Sequence, residues 1–176
     1  MLGVDEFKAK LKGGGARANL FKVTVNYPAF VAGDVELTSF MIKNAAIPAS
    51  TIGEIAVPFR GRTLYVAGDR TFETWDTTIF NDTDYNVRNS LEQWMNGINA
   101  HTLNTGLSAP VDYQADLLVD QLDRDEAILK RYVFRGAFPT NLAAIELGYD
   151  ANDAVQEFTC TWRYQYWEAQ RPETTT

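Results

Sequence analysis

The sequence predicts a mainly β domain with one flanking α-helix, and three observations carry that prediction. Strand-type alternation of apolar and polar residues recurs near both ends of the chain, one apolar stripe at helical spacing occupies the middle, and Gly, Pro and acidic turns punctuate the rest. Near the start, Phe21, Val23, Val25 and Tyr27 alternate with Lys22, Thr24 and Asn26, the period of a half-buried strand. In the middle, Val87, Leu91, Trp94 and Ile98 recur at intervals of four, three and four, so they share one helical face, with Asp82 ahead of them as a cap.

The other elements follow in chain order. Val4, Phe7 and Leu11, with acids and lysines between them, predict a short amphipathic helix that ends at Gly13-Gly14-Gly15. The glycines predict a hinge, so residues 1–15 read as an arm, 16–170 as a single β-domain and 171–176 as a flexible tail. Val35 to Ile42 reads as a less regular strand. It leads into a proline-punctuated loop carrying Ile47, Ile52, Ile55, Val57 and Phe59, more apolar surface than a solvent-facing connection retains. That loop is predicted to be covered by another molecule. Arg62 to Val66 and Thr71 to Phe80 read as two strands separated by Ala67-Gly68-Asp69. After the helix and a break at Gly106 to Pro110, Tyr113 to Leu122 and Ala127 to Arg135 read as a hairpin around an acidic turn. Phe138-Pro139-Thr140-Asn141 reads as a turn into a strand from Ile145 to Tyr149. A long last strand then places Phe158, Cys160, Trp162, Tyr164 and Tyr166 on one face, and Thr159, Thr161, Arg163, Gln165 and Trp167 on the other.

Composition narrows the function. At 176 residues and 45% hydrophobic content the chain can bury a core of ordinary size without staples. A net charge of −7 argues against affinity gained by neutralising phosphates. Cys160 is the sole cysteine and His101 the sole histidine, so neither a disulfide within the chain nor a multi-cysteine zinc site can form. The N-terminus has no signal-type apolar run and no window has the length of a membrane span, which predicts a protein made and kept in a cytoplasm. The glycine run lacks the Lys-Ser/Thr ending of a phosphate loop, and the acidic turns at Asp123 to Glu126 and Asp150 to Asp153 lack calcium-loop spacing. No catalytic, cofactor or metal residue is singled out. Trp75 and Trp167 have no clear place in the core. Exposed, they would suit a monomeric carbohydrate-binding β-sandwich, the competing reading from a different functional class.

Several segments together carry a resemblance. They are Asn19-Leu-Phe-Lys-Val-Thr-Val, the Ile47-Pro48 to Pro58-Phe59-Arg60-Gly61-Arg62 stretch and the run Val66-Ala67-Gly68-Asp69-Arg70-Thr71-Phe72-Glu73-Thr74-Trp75. To these add the helix with Trp94, Phe138-Pro139-Thr140-Asn141 and the closing Tyr166-Trp167-Glu168. In this the chain resembles the tail tube proteins of T4-like contractile-tailed phages. The resemblance implies a β-barrel or sandwich whose sheets join between subunits into a hexameric ring. It further implies rings stacked into a hollow tube that conducts the genome without binding it specifically, with no cofactor. The partners it implies are further copies of the chain and the tail sheath, baseplate, tape-measure and tail-terminator proteins, in the virion. Tubes of bacteriocins and type VI secretion systems share the fold and give the alternative. Ring-stacking contacts are expected from Ile47, Ile52, Ile55, Val57, Phe59 and Arg60, and from Val4, Phe7 and Leu11 of the arm. The net negative charge is expected to keep passing DNA from adhering to the wall.

Overall fold

A strand of 15 residues, β7 (Ile128–Leu142), organises the computed structural model, which describes residues 3–170. Gly136 breaks this strand with a φ of 60°, a left-handed conformation that suits glycine because it has no Cβ. Before the break β7 lies between β6 (Ala115–Leu122) and β9 (Tyr166–Gln170), and β1 (Phe21–Val25) pairs with the far side of β6. After it, β7 pairs with β8 (Glu157–Arg163), which is followed by β5 (Trp75–Phe80) and β2 (Ile42–Ala45). All these pairs are antiparallel. One seven-stranded sheet is therefore folded into two leaves that share β7.

The leaves enclose the core. Val23, Val25, Leu117, Val119 and Phe134 come from one leaf, and Trp75, Ile79, Phe158, Cys160 and Trp162 from the other. Trp75 stacks on Phe134 with centroids 4.5 Å apart, which ties the leaves across the interior. The predicted helix, α3 (Asn86–Ile98), adds Val87, Leu91 and Trp94, and Trp94 meets Trp162 edge-on at 5.6 Å. Asp82 anchors the helix start by accepting the Asn86 backbone N–H at 3.0 Å. The mainly β architecture with a flanking helix is thus as the sequence predicts.

Several local expectations are overturned. Val35–Met41 is a helix, α2, because Asp34 accepts the N–H groups of Glu36 and Leu37 and starts one there. The expected loop before Phe59 is instead strand β3 (Thr51–Phe59), and β4 (Arg62–Thr71) runs unbroken through Gly68. The register shifts by one residue there, between Ile52–Arg70 and Glu54–Ala67, and Gly68 lets the strands approach closely, since a Cβ would sit 3.1 Å from the Gly53 carbonyl oxygen. Tyr113 belongs to a short helix, α4 (Pro110–Tyr113), rather than to a strand. Phe138 to Asn141 continue β7 instead of turning, since from Phe138 onward β7 pairs on one side only and Pro139 breaks no ladder. No strand forms at Ile145 to Tyr149, where Leu147 and Tyr149 are exposed. The last strand is two: alternation holds to Tyr164, then slips at Gln165 opposite the Gly136 bend, so Trp167 turns inward and Tyr166 outward. The predicted tail, 171–176, lies outside the described residues, as do Met1 and Leu2 of the arm.

Candidate assembly interface

β3 and β4 form a two-stranded ribbon closed by Arg60 (φ 47°) and Gly61 (φ 80°), the pair of left-handed residues a tight hairpin turn requires. Ile55 lies opposite Val66 and Val57 opposite Leu64, so these four side chains share one face, with Phe59 beyond them at the tip. Every residue of β3 is exposed. Among the described residues the ribbon pairs with no other strand, although two strands alone are at best marginal in water. The expected contacts Ile47, Ile52, Ile55, Val57, Phe59 and Arg60 are all exposed, and so are Leu64, Tyr65 and Val66 on the returning strand, which the sequence does not single out. The pairing itself is the hidden signal: with the stretch before Phe59 expected to be a loop, Arg62 to Val66 has no partner strand with which to share an apolar face.

The ribbon has a firm root. The Trp75 indole N–H donates to the Ala46 carbonyl at 2.7 Å and that of Trp167 to the Ala49 carbonyl at 3.2 Å. The two tryptophans left unplaced by the sequence therefore hold the segment that launches the hairpin. Trp75, Trp94 and Trp162 are buried and Trp167 is half-buried, which removes the exposed indole platform that carbohydrate stacking needs.

The arm offers a second apolar surface. Helix α1 (Val4–Lys10) is followed by Gly13, Gly14 and Gly15, all at positive φ. Val4 is 70% exposed and Phe7 65%, so their stripe faces away from the rest of the chain. The arm's candidates and those of the hairpin sit on separate elements.

The outer face of the leaf built on β1, β6, β7 and β9 carries two arginines, each paired with carboxylates on neighbouring strands. Arg131 donates to both oxygens of Asp120 at 2.6 and 2.7 Å. Arg135 bridges Asp116 at 2.6 Å and Glu168 at 3.2 Å, joining three adjacent strands. These hydrogen bonds raise the pKa of both guanidiniums, so they stay charged. Asp116 also accepts the Gly136 N–H at 3.1 Å and so pins the bend in β7. In the core, burial pushes the Tyr27 phenol up to about 12 and raises the Cys160 thiol further, leaving neither ionised near neutrality. His101 sits exposed beyond α3. Among the described residues no group of three or more His, Cys, Asp or Glu converges as a metal site, and no helix is long and apolar enough to cross a membrane.

Comparison with known proteins agrees with this geometry. The phage tail tube protein family matches residues 7–170. The chain is 33% identical over 168 residues to the tail tube protein of Serratia phage KSP90, covering 93% of this chain and 95% of that one. It is 32% identical over 165 residues to tail tube protein gp19 of Enterobacteria phage T4, covering 93% and 98%. A chain of the sheath–tube complex of an extracellular contractile injection system, PVC, superposes with a TM-score of 0.67 at 14% identity, over 98% of this chain and all of that one. At that identity the likeness speaks for the fold. A chain from the cap of the anti-feeding prophage gives the same TM-score, 0.67, at 16% identity, over 89% of this chain and 91% of that one. With a bent, two-leaved sheet, a flanking helix and an uncovered apolar ribbon in place, and with the family matched over nearly the whole length, the chain belongs to the phage tail tube proteins, structural and non-enzymatic components of the virion's tail.

Proposed function

We propose that the chain closes into six-membered rings which stack into the hollow tube of a contractile tail, and that the β3–β4 ribbon makes the ring-to-ring contact. The observation that carries this is the apolar face of Ile55, Val57, Leu64 and Val66 on a ribbon with no cover of its own. Each of these side chains is already about half covered in its own chain, so burying the remainder in a neighbour contributes about 1 kcal/mol apiece. Ile47, Ile52, Phe59 and Arg60 extend that contact at the root and tip. Ring closure is supported by strand edges with no partner among the described residues, β9 and β2 among them, since sheets continued between subunits remove edges that otherwise pair without control.

Sheath, baseplate, tape-measure and tail-terminator proteins are the proposed partners. The solved structures that share this fold come from sheath–tube, baseplate, cap and terminator assemblies. DNA would pass through such a tube unheld: the chain carries a net charge of −7, and Arg131 and Arg135 spend their charge on neighbouring carboxylates. Negative-stain electron microscopy with size-exclusion chromatography over a range of concentrations tests the reading. Rings or hollow tubes are expected, and a monomer at every concentration would overturn self-assembly. Ile55→Asp should keep the fold and the rings yet stop stacking; normal tube growth by that variant would remove the ribbon from the interface.

A further inference from the structure

A groove of about 600 Å³ lies between β1 and α2, with Phe21, Val35, Phe40 and Leu122 as its apolar lining and Glu36 and Glu126 as its acids. Phe40 is 78% exposed on α2, and nothing in the fold accounts for an uncovered ring at that position. Lys22 is the one cation among the lining residues, so the groove is net acidic. The arm is its chemical complement. At 3.6 residues per turn Val4, Phe7 and Leu11 form one stripe, Lys8 and Lys10 border it on either side, and Asp5 and Glu6 point the other way. Among the described residues, none of Lys8, Lys10, Glu36 and Glu126 takes part in an ion pair.

Granted the assembly into stacked rings, on which this rests, we propose that the α1 arm of one copy docks in the β1–α2 groove of another. Val4, Phe7 and Leu11 cover Phe21, Val35 and Phe40, and Lys8 and Lys10 face Glu36 and Glu126. The arm's own root favours a second copy as the receiver. Gln121 donates to the carbonyls of Arg17 at 2.8 Å and Leu20 at 2.7 Å, fixing the chain just before β1. From there the three left-handed glycines carry the helix clear of the body, and its stripe stays uncovered in its own chain. Apolar contact supplies affinity, and the lysine–glutamate pairs set register and reject a reversed arm.

Cysteine cross-linking of the full chain tests this. Phe7→Cys protein is mixed with mass-tagged Phe40→Cys protein, both positions being exposed and the native Cys160 buried. After assembly and mild oxidation, a covalent heterodimer on a non-reducing gel is the expected result. Tubes that form without it, or a double variant that bridges only within one chain, would overturn the docking while leaving the tube reading intact. Failure of the unmodified chain to form any ring or tube would instead overturn the tube reading and the docking with it. A charge exchange gives a second readout: Lys8→Glu with Lys10→Glu should cut tube yield by roughly tenfold. Adding Glu36→Lys and Glu126→Lys should restore most of it. Loss without rescue would point to a neighbour's strand edge in the groove and reject the arm.

Discussion

Single residues in this chain decide where the sheet bends and what the core tolerates. Gly136 holds a positive φ, and a Cβ there would lie 2.9 Å from the Gln114 side-chain oxygen and 3.0 Å from Gln165 Cγ. Gly136→Ala is therefore expected to cost about 2 kcal/mol, from the left-handed backbone plus crowding, and to lower the melting temperature by several degrees in a calorimetric scan. Cys160 supplies a pH prediction. Burial first, then the nearby Asp76 charge, raise its thiol above its ordinary value of 9.0, so the folded state holds a proton that the unfolded chain releases. The associated stability is fully present below about pH 9 and is lost as pH rises from there toward the folded value, because in that window the unfolded chain binds fewer protons. Tyr27 adds a loss of the same sign between its ordinary value of 10.0 and about 12. Chemical denaturation between pH 8 and 10 should show this decline in the parent chain. A flatter profile is expected for Cys160→Ala, after allowing for the cavity it leaves.

Elements show what the sequence made legible and what it hid. β1 and α3 were readable because one face of each packs on the core, so the period of their apolar residues matches their geometry. β3 was hidden because it packs on nothing: with both faces exposed, its apolar residues follow no burial pattern, and Gly53 and Pro58 look like loop residues. α2 is hidden by the β-leaning content of Val35 to Ile42, which the cap at Asp34 outweighs. The inward turn of Trp167 was beyond reach, because it follows from a bend set by Gly136 in a strand some thirty positions away. Of the candidate contacts, the ribbon's first strand was found as an apolar excess, whereas its partner strand needed the pairing. Trp75 and Trp167 yield a test at this scale. Replacing either with Phe keeps most of the packing but removes one hydrogen bond to the ribbon's root, worth about 0.5–1.5 kcal/mol. Amide exchange should then quicken at residues 46–50 with little change in β1 or β6.

At the scale of the whole molecule, two leaves sharing β7 give a rigid body from which the ribbon and the arm project. The body buries Trp75, Trp94 and Trp162 and pairs Arg131 and Arg135 with carboxylates, while the projections keep their apolar residues uncovered. Deleting residues 1–11 is accordingly expected to leave the body's melting temperature within about 1 °C, since α1 buries nothing of its own, while tube length in micrographs falls. The uncovered ribbon also has a kinetic consequence. A lone subunit meets no surface that shields Ile55, Val57, Leu64 and Val66 until several others are already in place, so the first ring forms against a steep entropic barrier and every later one lands on a finished template. Growth of that kind has a critical concentration and a lag, and a preformed starting ring abolishes both, which leaves the moment and place of polymerisation to whatever presents that ring.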